Sequence, residues 1–180
     1  MPALTHYLVV DLEATCWAGG ERRSEAEIIE FGCVKLLRGG LQADGEFQSF
    51  VRPERHPKLR EYCTRLTGIQ QRDVDAAGNF SAVMPRLLEW IGEPTAVTFC
   101  AWGSYDRFLM QQSCRFYRLP YPFDPEFIDL RLEFRDRFAG RIVPMPQAMK
   151  MLGLESNGPK HSAINDARNA ARIWRELLVG

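Results

Sequence analysis

The sequence contains no long apolar run. Nothing in its 180 residues approaches the roughly 20 consecutive apolar positions that cross a bilayer. No basic segment precedes the apolar residues 7–10, which Asp11 interrupts. Neither a membrane helix nor a signal peptide is expected, and a cytoplasmic location follows. Paired cysteines are also missing. Cys16, Cys33, Cys63, Cys100 and Cys114 are odd in number and form no C-x-x-C pair, which argues against a disulfide framework and a zinc site and fits reduced, buried thiols. There is no excess charge either: 23 basic residues balance 23 acidic ones, so the global electrostatic footprint of a nucleic-acid binder is lacking. Lysine is scarce. Only four of the 23 cations are Lys, leaving Arg, the better phosphate clamp, to dominate, although the base composition of the coding sequence would produce the same bias.

What remains is a globular composition, 46% hydrophobic and 26% charged, with no repeat, low-complexity tract or linker. Residues 1–180 are therefore expected to form a single domain. Residues 6–13 read as a buried first strand, 18–26 as a polar loop, and 28–37 as a second strand. Arg38-Gly39-Gly40 and Asp44-Gly45 mark a reversal into a third strand over 47–51, giving an antiparallel meander. The period then changes. A Pro- and Arg-rich connection and a Thr67-Gly68 turn lead to a helix capped by Ser81, with Pro85 expected in or near its first turn. A short buried strand at 96–101 runs into a helix over 105–117. A fifth strand at 127–130 follows, then a helix to about Phe138, another over 146–152 and a last one over 162–178. Hairpin strands followed by strands alternating with helices predict an α/β fold, a mixed five-stranded sheet flanked by helices.

Asp11 and Glu13 lie one residue apart on the first strand, so both side chains share a face. Like charges at the end of a buried strand call for a cation, or else mark a solvated strand end. Asp106 falls in the first turn of the helix after the fourth strand, where it is a candidate ligand or a partner of the helix dipole. Asp166 sits among Ala163, Ala167 and Ala170 and is expected to face the core. His161, after Gly158-Pro159-Lys160, is placed to act as a general base. Oxygen ligands select hard cations such as Mg²⁺ or Mn²⁺, whose chemistry points to phosphate-ester hydrolysis.

Asp-Leu-Glu-Ala-Thr at 11–15, Trp102-Gly103-Ser104-Tyr105-Asp106, and His161-Ser162-Ala163 with Asp166 resemble the three motifs of the DEDDh group of DnaQ-like 3′-to-5′ exonucleases. The segment Tyr62-Cys63-Thr64-Arg65-Leu66-Thr67-Gly68-Ile69, with Val74-Asp75, resembles the exoribonuclease branch that includes the histone-mRNA and small-interfering-RNA exonucleases. The resemblance implies an RNase H-like fold and a two-metal mechanism using two Mg²⁺, with Mn²⁺ as a substitute. Asp11, Glu13 and Asp166 would hold the first ion, Asp11 would bridge to the second, and Asp106 would support the pair. His161 would deprotonate the attacking water, releasing 5′-nucleotides from single-stranded RNA or DNA 3′ ends. Ala14 and Thr15 would bind the terminal nucleotide. Trp17 and Trp102 are candidates for base stacking, core packing being the alternative for Trp102. Arg65, Arg107, Lys160 and Arg168 lie in or beside the motifs, as phosphate contacts or solvated charges. A proofreading-type DNA exonuclease and a non-catalytic adaptor that kept the fold are the competing readings; no membrane partner is expected, and protein partners are unknown.

Overall fold

The computed structural model describes residues 3–20, 22–123 and 125–179. Its centre is one five-stranded sheet in the order β3-β2-β1-β4-β5. β1 (His6–Ala14) pairs antiparallel with β2 (Ile28–Leu37), and β2 pairs antiparallel with β3 (Ala43–Phe50). β4 (Val97–Ala101) and β5 (Phe127–Asp129) run parallel to β1. This is the mixed sheet expected, with β1 at its middle.

Alternation along β1 divides its side chains between two cores. Leu8, Val10, Leu12 and Ala14 pack beneath α3 (Phe80–Ile91) and α4 (Tyr105–Phe116), together with Phe31, Phe80, Phe99 and Leu109. Val9 points the other way. It joins Val34, Cys100 and the apolar stripe of α7 (Ala163–Val179), with α5 (Leu130–Phe134) and α6 (Met145–Met151) completing that layer. Asp11 and Glu13 share the parity of Val9, so both acids project toward α7.

The α7 stripe is built from Ala167, Ala170, Ala171, Ile173 and Trp174, and the small residues let the helix lie close to the sheet. The tightest approach is at Gly32, which stands opposite Asp11 on β2. A Cβ there would overlap the carbonyl of Ala163 and the amide of Ile164.

Several expectations need correction. The connection before α3 contains two short helices, α1 (Glu61–Thr67) and α2 (Gln71–Asp75), separated by Gly68 at φ 75°. They are too short for helical periodicity to register, and burial of Cys63, Thr67 and Val74 holds them in place. Asn79, not Ser81, caps α3, accepting from the Ala82 amide at 3.1 Å. Pro85 therefore falls in the second turn, on the exposed face where the carbonyl it frees is solvated. β3 begins at Ala43, so Asp44-Gly45 is not the turn; Gly45 (φ 113°) lies within the strand beside a register shift between Val34 and Leu36. The helix expected to reach Phe138 is α helical only to Phe134 and continues as a π turn over Arg135–Ala139.

Gly32→Ala is expected to push α7 off the sheet and destabilise the protein by about 1–3 kcal/mol, the usual range for overpacking. Denaturant unfolding would measure it, and an unchanged midpoint would mean that the helix relaxes freely at this crossing.

Candidate active site

The site forms where β1 and β4 part. Their pairing ends at Val9 and Cys100, leaving the far end of β1 with no strand on that side. The Leu12 amide there donates to Asp106 Oδ1 at 2.9 Å. Asp106 is 8% exposed, and its carboxylate stands in for the missing strand while still lining the cleft.

Opposite, the start of α7 is fixed by a residue that sequence reading missed. Glu30, 2% exposed and paired across the strands with Glu13, accepts the Ala163 amide at 3.0 Å and the Gln48 side chain at 2.7 Å. A carboxylate at a helix N-terminus satisfies an otherwise orphaned N–H and complements the dipole. Its signal in the sequence was slight: Glu30 is a lone acid inside an apolar strand, without a helix in view to cap.

Asp166 then lies one turn into α7. It is half-buried on the cleft wall, more open than the core position expected of it. The His161 amide donates to Asp166 Oδ2 at 2.9 Å, and His161 itself adopts a left-handed backbone, φ 60°, at the exposed lip. One ligand atom from each of Glu13, His161 and Asp166 lies within 4.8 Å of the others. Asp11, Glu13, Asp106, His161 and Asp166 all line one cleft of about 600 Å³.

The electrostatics of the cleft are dominated by negative charge, which Lys160 offsets only in part at Asp166. Burial, reinforced by Asp106, Glu13 and Asp166, holds Asp11 well above the ordinary carboxylate range. Burial and the Asp166 charge push Glu13 up to about 8. Burial also pushes Asp106 up to about 7 against the pull of the Leu12 amide. Asp166 is raised by burial, while the His161 amide draws it down. Among the described residues none of the four acids forms an ion pair. Acceptor-only oxygens converging without a salt-bridge partner fit hard divalent ions.

Of the other expected residues, Ala14, Thr15, Trp102 and Lys160 line this cleft. Thr15 has structural duties as well: its hydroxyl accepts the Glu27 amide at 2.9 Å. Trp102 lines the cleft, and its ring lies 6.0 Å from Phe134, which is the packing role weighed for it. Trp17 does not line it; its ring sits edge-on to His56 at 4.9 Å, over a neighbouring groove. Three of the candidate cations are engaged elsewhere. Arg65 pairs with Glu61 at 2.7 Å, Arg168 with Glu46 at 2.6 Å, and Arg107 donates to the Pro125 carbonyl at 2.9 Å. The cleft instead takes Arg23, stacked 4.3 Å over the Tyr105 ring, together with Leu66, Met145 and Met149. Arg23 lies in the polar loop and carries no local motif that would have singled it out.

Residues 8–174 match the family described as Exonuclease. The chain is 32% identical over 198 residues to mouse ERI1 exoribonuclease 2, covering 97% of this chain and 29% of that protein. It is also 32% identical over 171 residues to the probable 3′-5′ exonuclease KapD of Bacillus subtilis (strain 168), covering 93% and 82%. The nuclease domain of 3′hExo, a DEDDh family member bound to rAMP, superposes with a TM-score of 0.88 at 31% identity, covering 98% of this chain and 92% of that one. The chain thus spans less than a third of the mouse relative's length and most of the bacterial one's.

Glu13 and Asp106 titrate above their ordinary values of 4.5 and 3.8. The folded state therefore keeps protons that the unfolded chain has already released, and the associated stability, complete below about pH 4, is lost as pH climbs through about 7 to 8. In chelator, the melting temperature is expected to fall across this window and Glu13→Gln to flatten the fall. A rising profile would show that the chain itself compensates these charges.

Proposed function

The chain belongs to the DEDDh exonuclease family, and from that premise we propose that it is a 3′-to-5′ exonuclease that removes 5′-nucleoside monophosphates from single-stranded RNA. The observation that carries this reading is the convergence of four acids that form no ion pair among the described residues, with a histidine at the lip of the same cleft. An adaptor that merely kept the fold would have no use for charges that burial makes so unfavourable. The five cysteines are all free, which suits the reducing cytoplasm, and residues 1–180 serve as one exonuclease domain.

The fold family implies a divalent cation, and the donor set fits it. Two Mg²⁺, replaceable by Mn²⁺, would be held by Asp11, Glu13, Asp106 and Asp166. When bound, they supply the positive charge that draws in a phosphodiester and stabilises the charge developing on its oxygens. An imidazole nitrogen of His161 accepts the proton of the attacking water. Its exposed position lets it reach and leave the cleft, and the Asp166 carboxylate that accepts its amide holds the loop in register. Ala14, Thr15 and the Leu66, Met149 and Trp102 wall enclose the terminal nucleoside, while Lys160 and Arg23 face its phosphates.

With Mg²⁺, a 5′-labelled oligoribonucleotide is expected to shorten from its 3′ end. His161→Ala should cut the rate by about 10²–10⁴-fold, the usual contribution of a positioned base, and Asp11→Asn or chelator should abolish it. A ladder surviving both substitutions would sink the assignment. Matched single-stranded RNA, single-stranded DNA and stem-loop RNA at equal metal measure the sugar and structure preference. DNA cleaved faster than RNA would favour the proofreading-type alternative.

A further inference from the structure

Beside the catalytic cleft lies a second groove of about 290 Å³. The two share Thr15 and Cys16, so the groove begins where the cleft ends. One side is Trp17, and the other is the segment 55–60, Arg-His-Pro-Lys-Leu-Arg. No acid lines it.

That segment is irregular yet firmly held. The buried carboxylate of Glu27 accepts the amides of Glu54 and His56, both at 2.8 Å. Gln71 accepts the Leu59 amide at 2.9 Å and donates to the Pro57 carbonyl at 2.7 Å. The four bonds fix the backbone on both sides of Lys58.

The cations divide into two kinds. Arg55 is spent on the Ala26 carbonyl, the Phe116 ring and Glu27, and His56 on Glu25 and Trp17. Lys58 and Arg60 are exposed, and among the described residues neither side chain has a hydrogen bond or ion pair. In a chain of zero net charge, two free cations on a stapled segment next to an indole form a local site for a polyanion that also carries flat rings.

We propose that this groove binds the single strand on the 5′ side of the scissile phosphate. Lys58 and Arg60 contact backbone phosphates, and Trp17 stacks on an upstream base. The proposal rests on the exonuclease reading above. It accounts for a tryptophan that the catalytic cleft does not use, and for how an electrically neutral protein grips a polyanion. Because the segment is held before the strand arrives, little ordering cost is left for binding.

Two substrates separate the groove from the cleft: a short oligoribonucleotide, and the p-nitrophenyl ester of a nucleoside 5′-monophosphate, in which nitrophenolate replaces the upstream strand. For Lys58→Gln/Arg60→Gln, KM on the oligomer is expected to rise about tenfold at low salt, and the slope of log affinity against log salt to shrink by roughly 1.4, two phosphates' worth on a single strand. Trp17→Ala is expected to raise the oligomer KM about tenfold as well. Ester turnover should stay unchanged in both variants. An unaltered KM and salt slope would overturn the proposal, as would a parallel loss on the ester, which would mean that the groove residues act through the cleft's structure. If the wild-type protein cleaves neither substrate, the exonuclease reading itself fails. The groove is then judged by anisotropy of labelled single-stranded RNA in chelator, where equal binding by wild type and the double variant would overturn it and a loss confined to the variant would uphold it.

Discussion

The seating of the last helix on the second strand is the contact on which everything else depends. Gly32 removes the side chain that would hold α7 away, and Glu30, two residues earlier on the same face, takes the first amide of that helix. Steric permission and electrostatic attachment thus come from alternate positions of one strand, directly across from Asp11 and Glu13. Without this seating, Asp166 would be a surface acid on a helix and the first-strand pair a repulsive strand end. With it, groups separated by about 150 residues of chain meet in one cleft.

The same geometry loads the native state with unfavourable charge. Four carboxylates and the capping Glu30 lie close together, and burial raises the proton affinity of all of them. The two hydrophobic layers must carry this deficit, and the division of β1 between them is well suited to do so, since Leu8 and Val9 face opposite ways and are both fully buried. Asp106 shows how little of the arrangement is spare: one carboxylate both closes the backbone of β1 and lines the cleft.

β1 was legible as an uninterrupted apolar run, buried on both faces, and the longer helices because their apolar residues keep a period of 3.6, as on α7. The five acid and histidine positions were legible because residue type and spacing carried them without three-dimensional knowledge. What could not be read were features set by tertiary contact. Seven-residue and five-residue helices have too few turns to show a period, and Pro85 is tolerated only because its face meets solvent. Arg65, Arg107 and Arg168 looked free in sequence but are taken by partners that only folding supplies. Glu30 failed to stand out for the same reason, since its meaning lies in an amide 133 positions away.

His161 ends this chain of dependence with a conflict at a single residue. A left-handed backbone costs an L-residue with a side chain roughly 1–2 kcal/mol, a penalty glycine escapes. Folding alone would favour glycine here, as at neighbouring Gly158, which is also left-handed. Selection for stability and selection for turnover therefore pull position 161 in opposite directions. A laboratory search for hardier variants would be drawn to replace the very side chain on which the proposed chemistry turns.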